Sequence, residues 1–374
     1  MRLPLLAGTG LVLVILVGWW LRSQPVFSDE MPVVASEVVS STPVRSKPPA
    51  HVAKGIYLTA VAAANSSTLA RMEDLIDKTE LNTVVIDIKD YTGYLLYPSQ
   101  VPLAVELKTT RPVLNDIPAL IERLHQKNIY VIARQTVFQD PILAEKKPEW
   151  AFARKSGGLW RDHLKLAWVN PAKTEVWDYN LAIAREAIAL GFDEINFDYV
   201  RFPSDGDMTQ VVYTHGARQR HEVMRDFYQY MSDALSSEPA WLSVDLFGFA
   251  MERHDGMGIG QRLADTIETM DYISPMMYPS HYPPGHLGLA NPAAAPGVVI
   301  ANGMKKGSEW FATSTARAQV RPWLQAFHIG ARYDATKIRA QIDAVEKYPN
   351  AGWLLWNASV RYTSAGLKLT TSTL

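Results

Sequence analysis

Eight short runs of apolar, β-branched and aromatic residues alternate with helical patterns from Lys54 onward. They span 55–59, 83–89, 129–136, 194–200, 241–247, 272–278, 320–327 and 352–357. Such residues suit the pleated, half-buried surface of a strand. Between the runs, apolar positions recur at helical spacing. Leu69, Met72, Leu75 and Ile76 do so within 67–81, and Ile117, Leu120, Ile121 and Leu124 within 116–127. Further helices are expected over 171–190, which is followed by Gly191, and over 214–235, 260–270 and 335–347. Eight strand–helix units in a chain of 374 residues predict a (β/α)₈ TIM barrel. The main alternative, an open doubly wound sheet, would often carry a glycine-rich phosphate loop after its first strand, and this chain has none there. The last helix is thin, because 362–374 is short and polar. Closure is therefore expected to draw on the segment before the first strand.

Three parts follow from the pattern: residues 1–22, 23–50 and the barrel, 51–374. No residue from Leu3 to Leu21 is charged, and Arg2 and Arg22 flank the stretch, with Trp19-Trp20 at its end. About 19 apolar residues approach the length of a membrane-spanning helix and exceed the apolar region of an ordinary signal peptide. The expectation is a transmembrane anchor, or a signal peptide if the segment is cleaved. Either way the remainder is exported: anchored in the inner membrane and facing the periplasm or cell exterior, or secreted. Residues 23–50 are rich in Ser, Pro, Val and Thr without period, as in a flexible linker.

Composition removes several chemistries. With no cysteine, disulfides, thiolate catalysis and cysteine metal sites are excluded. A net charge of −1 gives no global electrostatic case for nucleic acid. There is no Walker loop and no Gly-x-Ser-x-Gly turn, so neither a metal nor another cofactor is expected.

A barrel keeps its active site at the C-terminal ends of its strands, where this chain repeatedly places polar residues. Strand two ends in Asp87-Ile-Lys-Asp90, strand three in Arg134-Gln-Thr136, strand four in Asp198 with Arg201, and strand five carries Asp245. Adjacent strands lie about 4.8 Å apart. Asp198 and Asp245, if both point into the mouth, would form the paired carboxylates of a retaining glycosidase, one attacking and one acting as acid, then base. Glu252, in the loop after strand five, is a rival acid; Asp205 and Asp207 are weaker rivals. Arg201 is expected to orient Asp198 and lower its pKa. Asp87, Lys89, Arg134, Trp160, Tyr278, His281 and Trp356 are expected to line the substrate pocket. The long 138–169 connection brings Trp150, Trp160 and Trp168, rings of the kind that stack on pyranoses. For each Trp, ordinary packing is the competing explanation.

Nine motifs carry a family resemblance. They are Lys54-Gly-Ile-Tyr57, Val85-Ile-Asp-Ile-Lys-Asp90, Asp140-Pro-Ile-Leu-Ala144 with Pro148-Glu-Trp150, Gly158-Leu-Trp-Arg-Asp162, Trp168-Val-Asn-Pro171, Val176-Trp-Asp-Tyr179, Gly191-Phe-Asp-Glu194, Phe197-Asp-Tyr-Val-Arg-Phe-Pro203 and Ile273-Ser-Pro-Met-Met-Tyr-Pro-Ser-His-Tyr282. Across about residues 53–360 the chain resembles the bacterial family described as a "putative glycosyl hydrolase domain" of unknown function. The resemblance implies a TIM barrel distantly similar to alpha-amylase-type glycosidases. It aligns Asp198 with the nucleophile after strand four and Asp245 with the acid after strand five. It also shows two departures: Asp stands at the strand-five position where amylases use Glu, and the third amylase carboxylate has no counterpart near Gln325-Ala-Phe327. The function expected is hydrolysis of an extracytoplasmic polysaccharide or oligosaccharide: cell-wall glycan, exopolysaccharide or storage glucan. A carbohydrate-binding or envelope-assembly protein on the same scaffold is the alternative.

Overall fold

The computed structural model describes residues 46–312 and 316–370. The expected anchor and most of the expected linker lie outside these residues. Among the described residues no helix is long and apolar enough to cross a membrane.

Eight parallel strands close into a barrel. They are β1 (Ala53–Leu58), β2 (Thr83–Lys89), β3 (Tyr130–Thr136), β4 (Glu194–Asp198), β5 (Trp241–Phe247), β6 (Tyr272–Met277), β7 in two pieces (Gln319–Val320 and Trp323–Gln325) and β8 (Gly352–Trp356). Each pairs with its sequence neighbour, and β8 pairs with β1 to complete the ring. The break in β7 falls at Arg321-Pro322, where proline has no N–H for a ladder. Its first piece pairs with β6; the second bridges β6 and β8.

Six longer helices surround the strands: α1 (Ser66–Asp77), α2 (Ile117–His125), α3 (Thr174–Ala189), α4 (Arg220–Ala234), α5 (Pro296–Phe311) and α6 (Ala335–Val345). Their buried faces and the outward strand residues, such as Val84, Ile86, Ile195 and Val244, form one continuous apolar layer. Two expectations differ from the structure. The pattern over 260–270 folds as a 3₁₀ turn (Leu263–Asp265) and further turns, not an α-helix. Conversely, α5 is a helix that periodicity did not reveal. It opens on Pro296-Gly297, and a Cβ at Gly303 or Gly307 would collide with the side chains of Met277 and Met251. These glycines let the helix lie close to the barrel at the expense of helix propensity.

Closure needs no late helix, since β7, β8 and β1 pair directly. The segment before β1 instead covers the N-terminal end of the barrel. His51 stacks on Tyr130 with ring centroids 4.5 Å apart, Pro48 accepts a hydrogen bond from Trp241 Nε1 (2.9 Å), and Lys47 lies 3.2 Å from Asp271.

Inside the barrel, side chains stack in tiers. Tyr57, Val85, Tyr130, Ile132, Trp323 and Leu354 form an inner apolar cluster separate from the outer layer. Below it Arg321 and Glu194 pair, both fully buried, with Tyr130 donating to Glu194 at 3.2 Å. Above it lies the mouth.

Candidate active site

Alternation along the strands brings four charged residues to one tier. Asp87 (β2), Arg134 (β3), Asp198 (β4) and Asp245 (β5) all point inward, 1–6% exposed. The register places Asp87 beside Arg134 and Thr136 beside Asp198. Asn196, two residues before Asp198 on the same face, donates 2.9 Å to Asp245 Oδ1.

One guanidinium organises the tier. Arg134 Nη1 donates to Asp87 Oδ1 at 2.6 Å. Its Nε donates to Asp198 Oδ2 at 3.0 Å, and Nη2 donates to the same oxygen. Nε is also 3.9 Å from Asp245 Oδ2. Asp87 takes a second bond from the Tyr57 hydroxyl, and Asp198 Oδ1 takes one from the Tyr199 N–H at 2.5 Å. Tyr199 has φ 53, an uncommon conformation for a residue with a side chain, and it turns the chain sharply after the strand.

Three carboxylates around one cation cannot all be ionised at little cost. Burial, then repulsion from Asp198, pushes the Asp245 carboxyl well above the usual carboxylate range, against the pull of Arg134, Asn196 and Trp323. Asp245 is the member farthest from Arg134. Its Oδ1 accepts from Asn196 and from Trp323 Nε1, each at 2.9 Å. Oδ2 is the oxygen left to carry a proton.

The tier opens on a cavity of about 490 Å³. Its walls include Arg134, Asp198, Asp245, Arg201, Tyr278, His281 and Trp356. Trp356 stacks on Tyr57 with centroids 4.0 Å apart, and the Arg134 guanidinium lies 5.0 Å from the Trp356 ring. His281 is held by Ser280 Oγ (3.0 Å), and burial lowers its pKa. A second cleft of about 930 Å³, between the loops after β7 and β8, shares Tyr278, His281 and Trp356 with the cavity.

Other expected site residues stand elsewhere. Asp87 lies beneath Arg134 and does not line the cavity. Lys89 points outward, fully buried, 2.7 Å from Asp140 Oδ2, with Thr136 O at 3.0 Å and Asn180 Oδ1 at 3.3 Å. Trp160 is 2% exposed within its own loop and donates to the Asp207 carbonyl (2.9 Å). Glu252 faces His286 at 3.5 Å outside the cavity; burial raises its pKa. Arg201 makes no ion pair with Asp198: Arg134 holds that carboxylate instead. Two contributors were missed by sequence reasoning, Tyr57 and Trp323. Their signal was their parity on β1 and β7, which places them on the inner face. Among the described residues, no group of three or more His, Asp or Glu could hold a metal ion.

Residues 55–362 match a family model described as "Putative glycosyl hydrolase domain". No curated protein matches the chain. A solved structure of a hypothetical protein from Ruminiclostridium thermocellum is 35% identical over 55% of this chain and 98% of that one, with a TM-score of 0.48. The glycoside hydrolase domain of PgaB (BpsB) from Bordetella bronchiseptica is 11% identical, covering 85% of this chain and 95% of that one, with a TM-score of 0.60. The alpha-galactosidase TtGalA from Thermus thermophilus is 12% identical over 84% of this chain and 60% of that one, with a TM-score of 0.51. The likeness to these last two is one of fold.

Proposed function

The chain belongs to the family of that glycosyl hydrolase domain, and from this premise we propose that it hydrolyses glycosidic bonds in a polysaccharide or oligosaccharide, with Asp198 as nucleophile and Asp245 as acid and then base. The observation that carries the reading is the shared guanidinium. Arg134 binds Asp198 through two donors and only approaches Asp245. Asp198 is thereby paired with a cation, and burial with repulsion from Asp198 leaves Asp245 to keep a proton. A carboxyl whose environment raises its pKa is suited to the acid role.

The steps follow from these positions. Asp198 attacks the anomeric carbon as the glycosidic bond breaks, and the leaving oxygen takes the Asp245 proton. Asp245, now ionised, removes a proton from water as that water's oxygen displaces Asp198, and the free sugar leaves. Both carboxylates lie within 4 Å of one nitrogen. That crowding fits the about 5–5.5 Å of retaining enzymes better than the about 6.5–9.5 Å of inverting ones. Tyr278, His281 and Trp356 supply the faces and donors that a sugar ring meets. The uncharged N-terminal stretch supports an extracytoplasmic substrate.

The test is a glycan screen with the full chain, Asp198→Asn and Asp245→Asn. Turnover of one glycan class by the parent, lost in Asp198→Asn, supports the assignment. Turnover that survives Asp198→Asn would falsify it. Binding without turnover on every glycan would favour a carbohydrate-binding protein.

A further inference from the structure

Arg201 differs from the other buried arginines, Arg134 and Arg321, and from the more exposed Arg123 and Arg317, in having no carboxylate at its guanidinium. A guanidinium offers Nε and Nη2 along one side, a fork that matches a carboxylate. In Arg134 that fork holds Asp198, in Arg123 it holds Glu73 (2.6 and 2.6 Å), and in Arg317 it holds Asp271 (2.9 and 2.6 Å). Arg201 uses only Nη1, on the Phe202 carbonyl and Ser204 Oγ, each at 3.1 Å. Its Nε and Nη2 have no protein partner among the described residues.

The side chain is nevertheless 8% exposed, and its guanidinium sits among the rings of Trp168 (4.8 Å), Phe247 (4.9 Å) and Tyr199 (5.3 Å). Burial lowers its pKa, and Asp198, Asp205 and Asp162 counter this only through longer-range attraction. A buried cation without a carboxylate partner is costly to keep. Rings and two neutral acceptors offset part of that cost and also fix the fork in place. The residue lines the cavity that contains Asp198 and Asp245.

We propose that the substrate is an acidic glycan and that the Nε/Nη2 fork of Arg201 binds the carboxylate of a uronic acid residue seated beside the catalytic pair. The inference rests on the glycosidase reading for its reaction, but its binding claim stands apart from turnover. The adjoining cleft extends the same chemistry. Arg332 after β7 and Arg361 after β8 both line it, both are exposed, and neither has a carboxylate partner among the described residues. Asp334, the acid in that lining, is engaged in capping α6 through the Lys337 N–H at 3.0 Å.

The experiment uses the full chain with three probes: oligogalacturonides, the same oligomers with carboxyls reduced to neutral alcohols, and neutral oligomers bearing phosphate esters. Binding is followed by calorimetry and cleavage by reducing ends, for the parent, Arg201→Gln and Arg201→Lys. The expected result is at least a tenfold preference for the acidic oligomer over its reduced form, by affinity or by kcat/KM. Arg201→Gln should remove that preference, and Arg201→Lys should restore part of it. Equal or better handling of the neutral form overturns the inference and leaves the glycosidase standing. Acid-selective binding without cleavage supports the inference and counts against the glycosidase. Preference for the phosphate esters, or no binding of any probe, overturns it.

Discussion

Two arginines sit on the inner face of the same barrel, at different heights, in opposite company. Near the N-terminal end Arg321 meets one carboxylate, Glu194; both are fully buried and Tyr130 adds a hydrogen bond. At the mouth Arg134 meets three carboxylates, beside a cavity. The lower pair balances its charge and is shut from solvent. The upper cluster is short of positive charge; burial, then repulsion from Asp198, raises the Asp245 pKa well above the usual range, and burial raises that of Asp87 as well. A balanced buried pair holds the interior in register, whereas an unbalanced one holds a proton ready to move.

The sharpest break between the two tiers is in turnover. Asp245→Asn should lower kcat/KM by about 10²–10⁴-fold, the range for loss of a general acid, and Asp198→Asn by more, because it removes the covalent step. Activity of the parent should fall as pH rises through the raised Asp245 pKa, and that alkaline limb should vanish from the residual activity of Asp245→Asn. Stability should follow the same direction with pH. The native state binds this proton more tightly than the unfolded chain, whose aspartates titrate near about 3.9. Unfolding releases the proton, so stability falls as pH rises between the two values and stays lower above them. Asp245→Asn removes that penalty, and its melting temperature at neutral pH should exceed the parent's. A lower one would mean that Asp245 is a structural anion like Glu194.

At the lower tier the same kind of change should cost stability and spare chemistry. Glu194→Gln leaves Arg321 buried without its anion, at a cost of about 3–5 kcal/mol, readable as a lower denaturation midpoint. Turnover per folded molecule should be unchanged. The double change Glu194→Met with Arg321→Met should recover most of the loss. If Glu194→Gln instead abolished turnover at full stability, the division between tiers would be wrong.

Sequence made this arrangement legible where period-2 alternation holds. Asp198 and Asn196 share a face, as do Asp245 and Ser243, so alternation put each carboxylate on a definite strand face but left open whether both faces meet in the mouth. Lys89 shows where alternation fails. It has the parity of Asp87, yet a register shift between them turns it outward: Asp87 aligns with Arg134, but Lys89 with Gln135. A β-bulge of this kind re-aims one side chain and leaves no trace in the pattern. Arg201 was read as the partner of Asp198 because it lies three residues away. Arg134, 64 positions distant, reaches Asp198 across the β3–β4 pairing. Trp160 was read as a stacking platform from its place in a long loop, but that loop builds its own core with Phe152 and Trp168. Sequence separation conceals both relations.

The smallest expected effect tests how the upper cluster is partitioned. Tyr57 donates to Asp87 from below, on the oxygen that Arg134 does not use. Tyr57→Phe keeps the ring stacked on Trp356 and removes only that donor. Hydrogen bonds to charged groups contribute about 1.5–3 kcal/mol, so the melting point should drop modestly. Asp87 would then depend on Arg134 alone and draw the guanidinium away from Asp198. The expected signature is a severalfold lower kcat with KM little changed, since Tyr57 does not line the cavity. A change in KM alone would place Tyr57 against the substrate and remove Asp87 from the chain of contacts that positions Asp198.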